Sequence, residues 1–188
     1  SRQIAHCGHA TIATFSLLRQ LEIVNEGWLS KETIEGNRDI LIDGKMAFME
    51  QRAPKFTKIE THSELGQNVL TSLGISPDQL IAGLMPYVVN TGNSFMIIPL
   101  ASEQDVAKLK PNLELIETIS EELNLIGYYA FSRTTKLENR HAGTRMFAPR
   151  FGIPEESGTG MAAGPLACFL HDILGEKELN VQIEQGWL

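Results

Sequence analysis

The 188-residue sequence predicts an α+β fold. Three observations carry this. Strand-like and helix-like segments follow one another without the regular βαβ rhythm of a doubly wound sheet. Asp43-Gly44 sits between alternating apolar residues, a hairpin pattern. Two strand–glycine–helix junctions, one at Gly8 and one at Gly158–Gly160, share a single design and lie far apart in the chain.

Taken in order, Gly8 to Leu21 reads as a helix, because Ile12, Phe15, Leu17, Leu18 and Leu21 recur at helical spacing. Asn25-Glu26-Gly27 breaks it. Asp39 to Glu50 reads as the hairpin, with Ile40 and Ile42 before the turn and Met46 and Phe48 after it. Arg52-Ala53-Pro54 reads as a crossing, so residues 1–53 are expected to belong to one domain and 54–188 to a second. Ser63 to Leu73 is a helix stopped by Gly74, and Pro77 to Ile81 starts a shorter one. Met85–Asn90 and Ser94–Leu100 are strands around Thr91-Gly92-Asn93. Ser102 caps a helix expected to run to Lys110, and Asn112 to Leu123 continues helical. Leu125–Ser132 is a buried strand and Arg145–Ala148 a short one. Thr159–Leu174 is a second helix of small residues, and Leu179–Glu184 alternates as a last strand.

Composition narrows the function. Net charge is −7, and no basic run marks a nucleic-acid surface. No apolar run approaches the ~20 residues of a membrane-spanning helix. Two cysteines, Cys7 and Cys168, do not make a disulfide scaffold in a chain of this length, so a cytoplasmic protein is expected. The first residue is Ser1, already inside a motif, and the last residues read as a strand leading onward. A fragment, a processed product or one piece of a split protein is the expectation.

The junctions carry the chemistry. In Cys7-Gly8-His9-Ala10-Thr11, a glycine turn opens a helix whose first N–H groups are unpaired and sit at the positive end of the dipole. That suits a carboxylate or a developing oxyanion. His9 can act as acid or base. Cys7 is placed where a helix start lowers thiol pKa; a buried, inert thiol is the commoner arrangement. His6 and His9 flank Cys7, but no carboxylate partners them, which disfavours a metal. In Glu156-Ser157-Gly158-Thr159-Gly160 the same logic returns, with Glu156 as a carboxylate able to shuttle protons. The plainer alternative is two ordinary helix caps. Arg145 can grip a substrate carboxylate bidentately or serve a structural ion pair. Arg150 has the same two readings, His141 reads as a loop residue and Cys168 as core.

Cys7 to Thr11, Arg145-Met146-Phe147-Ala148-Pro149 and the run from Gly152 through Gly160 resemble the signature segments of the PhzF-like (phenazine biosynthesis-like) isomerase family. Thr91-Gly92-Asn93 before an apolar strand ending Ile98-Pro99-Leu100 resembles a further family segment. The resemblance runs over essentially the whole chain. It implies a diaminopimelate epimerase-like fold: two pseudo-symmetric domains, each a sheet wrapped around a central helix, here truncated at both ends. It implies proton abstraction and return on a small anionic metabolite without metal or organic cofactor. Glu156 and His9 are the implied catalytic residues; Cys7, Gly8, Thr91, Gly92, Asn93, Arg145, Gly158, Thr159 and Gly160 are the implied substrate-binding residues. A homodimer or a completing chain segment is the expected partner.

Four departures from the pattern are visible. Glu156 stands where the family carries Asp, Ser157 where racemase relatives carry a second Cys, and Met161 where a small polar residue is common. The family's principal acid/base glutamate lies upstream of the first junction. Glu156, Met161 and the missing glutamate motivate a competing expectation, a non-catalytic binding or interaction protein on the same fold. A thiol-dependent racemase using Cys7 is a further alternative, with a two-thiol mechanism disfavoured by Ser157.

Overall fold

The computed structural model describes residues 7–33 and 36–186. His6 lies outside them. The chain forms two compact units that divide between Ala53 and Pro54.

The first unit is one helix on a small sheet. Helix α1 (Gly8–Gln20) matches the expected span. Strands β1 (Gly27–Thr33), β2 (Gly36–Asp43) and β3 (Met46–Met49) form an antiparallel sheet in that order. The β2–β3 hairpin closes through Gly44 and Lys45, with Asp43 opposite Met46 and Gly44 at φ +57°. β1 was not legible in the sequence, because Lys31 and Glu32 interrupt its apolar alternation. Ile40 and Ile42 of β2 are fully buried, while Trp28 of β1 is 71% exposed.

The second unit is a seven-stranded sheet, in the order β10-β8-β7-β6-β5-β4 with β9 attached to β8. Its strands are β4 (Lys55–Lys58), β5 (Tyr87–Asn90), β6 (Ser94–Leu100), β7 (Gly127–Ser132), β8 (Ala142–Ala148), β9 (Ile153–Glu156) and β10 (Ile183–Gln185). β6 pairs parallel with β7, and β10 parallel with β8; the remaining pairs are antiparallel. The helices are α2 (Glu64–Leu73), α3 (Glu103–Ala107), α4 (Leu113–Glu122) and α5 (Gly160–Asp172).

Local chemistry explains the ends of these elements. Ser63 Oγ accepts from Gly66 N at 3.0 Å to open α2. Gly74 closes it in the left-handed region at φ +67°. Ser102 Oγ and Asn112 Oδ1 open α3 and α4 by accepting from Asp105 N and Leu115 N. α3 stops at Ala107, short of the expected Lys110. Lys110 donates its N–H to Leu73 O at 3.0 Å, and Pro111 restricts the residue before it. Pro77–Gln79 forms only a single 3₁₀ turn.

The two faces of the sheet bury different helices. Met96, Ile98, Leu100, Tyr128 and Ala130 join Val69, Leu70, Leu73, Val106, Ile116 and Ile119 of α2, α3 and α4 in one core. The alternate residues point the other way. There Phe169 of α5 meets Tyr87 and Phe131 edge-on, at 5.4 and 5.7 Å between ring centres.

β10 is shorter than the alternation from Leu179 suggests. Leu179 is 91% exposed, and ladder pairing with β8 begins at Ile183 opposite Ala142.

Candidate active site

In the first unit, Cys7 is the N-cap of α1, in extended backbone conformation. Its thiol is free and exposed, so the expectation of a buried, inert cysteine is corrected. Gly8 is buried and His9 exposed on the first turn. Thr11 Oγ1 donates to Cys7 O at 2.7 Å and accepts from Lys31 Nζ. Lys31, on β1, thus holds the start of α1 through one hydroxyl.

The second unit carries the more elaborate junction. β9 ends at Glu156, Ser157 is exposed, and Thr159 is the N-cap of α5. Glu156 is half-buried, and Thr159 Oγ1 lies 3.3 Å from its Oε2. Among the described residues no cation pairs with the Glu156 carboxylate. Neither Gly158 nor Gly160 has positive φ, and a Cβ built on either meets nothing within 4 Å. Backbone strain therefore does not require these glycines; their effect is to leave the main chain open on that side.

Gln185 of β10 grips this turn. Its Oε1 accepts from Thr159 N at 3.1 Å and from the Tyr129 hydroxyl at 3.0 Å. Its Nε2 donates to Glu156 O at 2.7 Å and to Thr159 Oγ1 at 3.0 Å. Burial pushes the Tyr129 phenol up to about 12, so it stays protonated as a donor; a hydrogen bond with Thr144 opposes the shift. Thr144 Oγ1 lies 3.1 Å from that phenol and 2.8 Å from Glu184 O, and its single proton serves one of them. Glu184 is buried and accepts from Lys136 N and Leu137 N, fixing the loop beyond β7.

Other expected site residues fall as follows. Thr91, Gly92 and Asn93 form the bend between β5 and β6, with Thr91 and Asn93 buried. Gly92 sits at φ +114°, and its N–H donates to Asn90 Oδ1 at 3.0 Å. Arg145 makes a bidentate pair with Glu155, Nε to Oε1 at 2.7 Å and a terminal nitrogen to Oε2 at 2.8 Å. Its other terminal nitrogen donates to the carbonyls of Val106, Ala107 and Leu109 at the C-terminal end of α3, and the guanidinium lies 5.0 Å over the Phe147 ring. The carboxylate that Arg145 grips is thus Glu155's, which is the structural alternative. Arg150 donates to Asn124 Oδ1 and Leu125 O and covers Phe151. His141 lies between Glu178, 2.9 Å from Nε2, and Gln182, whose N–H donates to Nδ1 at 3.0 Å. That bond makes Nε2 the protonated nitrogen facing Glu178. Cys168 is half-buried; burial first, and then Asp172, pushes its thiol up. Met161 is buried.

Sequence reasoning missed Lys31, Tyr129, Thr144 and Gln185. Lys31 lies in the unrecognised strand, Tyr129 inside a strand that read as buried, Thr144 one residue before the expected Arg145–Ala148 strand, which begins earlier at Ala142, and Gln185 one residue past the expected last strand. Only the glycine after Gln185 carried a signal, as a sign of close backbone approach.

The second unit thus carries a glycine-opened helix start with a carboxylate beside it, on a mixed α+β scaffold. The chain belongs to the phenazine biosynthesis-like protein family, which it matches over residues 1–187. It is 30% identical to the "Uncharacterized isomerase YddE" of Escherichia coli O157:H7 over 98% of this chain and 64% of that protein. It is 30% identical to an "Uncharacterized isomerase" of Clostridium acetobutylicum over 89% of this chain and 57% of that one. The chain thus spans under two thirds of the length of these relatives. Among solved structures, a phenazine biosynthesis protein of the PhzF family from Bacillus anthracis superposes with TM-score 0.80 at 24% identity, covering 97% of this chain and 64% of that one. A "Predicted Epimerase" from Pseudomonas aeruginosa superposes at 0.67 with 18% identity, covering 97% and 63%. These likenesses establish the α+β fold. No helix among the described residues is long and apolar enough to cross a membrane.

Proposed function

We propose that this chain is part of an isomerase that removes a proton from a small carboxylated metabolite and returns it at the same or another carbon, with no metal or organic cofactor. The observation that carries the reading is Glu156: a half-buried carboxylate held by a hydroxyl, with no cation partner among the described residues, beside the open main chain of Gly158 and Gly160. A carboxylate locked in an ion pair would be poorly suited to proton transfer, and Glu155 is the one so locked. Adjacent glycines let a substrate carboxylate reach backbone N–H donors at a helix start. In this reading Glu156 and His9 carry protons, and Cys7, Gly8, Thr91, Gly92, Asn93, Gly158, Thr159 and Gly160 bind.

The test is hydrogen exchange in heavy water. The full-length protein is incubated with a broad panel of amino and hydroxy acids, and deuterium uptake is read by mass spectrometry. At least one compound is expected to gain deuterium. Glu156→Gln is expected to slow that uptake about 10²- to 10⁴-fold, the usual contribution of a general acid or base. Uptake by no compound overturns the reading. Uptake that survives Cys7→Ala removes the thiol-dependent alternative.

A further inference from the structure

We infer that Gln185, with Gly186 behind it, is the positioning residue for the Glu156 turn. The inference rests on the proposed role of Glu156 and adds to it a residue from a strand remote in sequence.

A glutamine amide offers two acceptor sites on oxygen and two N–H donors. In Gln185 all four are used. The oxygen takes Thr159 N and the Tyr129 hydroxyl, and the nitrogen serves Glu156 O and Thr159 Oγ1. Two of these partners are backbone groups of fixed polarity, so the amide has one orientation. Because Thr159 Oγ1 accepts from Gln185, its own proton is free to point at Glu156 Oε2, 3.3 Å away. A directed chain therefore runs from the Gln185 amide through the Thr159 hydroxyl to the Glu156 carboxylate. Gln185 also fixes the carbonyl of Glu156 itself and the N-cap amide of α5.

Gly186 makes this approach possible. It sits at φ +88°, and a Cβ there would lie 2.5 Å from Ser157 O. The main chain of β10 is pressed against the turn, which no side chain at position 186 would allow. The device is also neutral. An amide can hold the turn at both ends without placing a charge beside Glu156, whereas a carboxylate at position 185 would oppose it. Tyr129 anchors the amide from the sheet side, so the turn inherits its placement from fully buried core.

The full-length protein tests this in two readouts. Gln185→Met keeps the volume of the side chain and removes all four bonds. Its kcat for deuterium uptake, on whichever panel compound exchanges, is expected to fall about 10²-fold, the effect of misplacing a reacting group by about 1 Å, with KM within about twofold. Tyr129→Phe removes the phenol's contacts with Gln185 and Thr144 without touching the turn and is expected to lower kcat several-fold, again at constant KM. By NMR, the Thr159 amide should exchange with solvent at least tenfold faster in Gln185→Met, while Ala130 in the core strand stays protected. Unchanged kcat in Gln185→Met overturns the inference and leaves the proposed function standing. If that variant does not fold, unchanged kcat in Tyr129→Phe overturns it equally. A wild-type protein that exchanges nothing overturns the proposed function, and Gln185's part in turnover with it. Thr159 amide exchange then separates that outcome from a missing clamp, since an unaltered amide would overturn the positioning itself.

Discussion

The two units use one sequence pattern under different physical support. Among the described residues, the first unit buries only two apolar side chains, Ile40 and Ile42, and exposes Leu17, Leu21, Ile23, Trp28, Met46 and Phe48. By register, Trp28, Leu41 and Phe48 form one cross-strand row on the face that Ile40 and Ile42 do not share. The second unit covers both faces of its central strands, and every residue of β7 is buried. The junctions follow suit. Lys31 and Thr11 hold the first, while Gln185, Tyr129 and an adjoining backbone hold the second. A glycine turn before a helix is thus only a template; the strands behind it decide how firmly its side chains are placed.

The contrast in cohesion is the easiest to break. Phe169 is fully buried between Tyr87 and Phe131, and Phe169→Ala is expected to cost about 3–5 kcal/mol in urea denaturation. Trp28→Ala, on the open face of the first unit, should stay within about 0.5 kcal/mol of wild type. Equal losses would mean that the Trp28 face is covered in solution. Between these limits lies Arg145. Arg145→Met removes a bidentate ion pair and leaves three carbonyls at the end of α3 without their donor. A loss of about 1.5–3 kcal/mol is expected, the range for hydrogen bonds to charged groups. Stability at the wild-type level, with substrate KM raised, would return Arg145 to the substrate.

Most of the helices could be read before the structure because their signals are local. Ser63, Ser102 and Asn112 cap where short polar side chains before apolar periodicity should, and Gly74 stops α2. β1 and β4 were not legible. Each has few apolar residues and is defined by the partner it pairs with, β2 for Gly27–Thr33 and β5 for Lys55–Lys58. The candidate site divides along the same line. Glu156, Thr159 and the open glycines lie within a few residues of one another and could be named from sequence. Gln185 is 26 residues from Thr159 and 56 from Tyr129, so only the folded sheet brings them together.

The glycines give a smaller and sharper comparison. Gly160 opens α5 with empty space around its missing Cβ, whereas a Cβ at Gly127 would lie 2.2 Å from Phe147 O. Gly160→Ala removes unfolded-state entropy at a helical position that alanine accepts. It should therefore raise stability by about 0.4–1 kcal/mol in urea titration. If a substrate approaches the main chain there, deuterium uptake should fall in the same variant. Gly127→Ala should show only the structural defect. A Gly160→Ala protein both stabler and fully active would detach that glycine from the binding surface.

The smallest effect is a pH dependence far from the site, and its sign is fixed. The Ser102 hydroxyl first, and then the Gln79 amide, hold the Asp105 carboxyl below its ordinary 3.8, against a weaker opposing effect of burial. A carboxyl whose folded pKa is lowered adds stability above its unfolded pKa and loses it as pH falls through the folded value. Asp105 is only partly buried, so screening keeps the contribution modest. Asp105→Asn retains an oxygen acceptor for Ser102 but cannot titrate. The difference in urea midpoint between wild type and this variant should be constant at neutral pH and shrink once pH drops below about 3.8. A difference that grows on acidification would show that Asp105 is better held when protonated, contrary to the geometry at the start of α3.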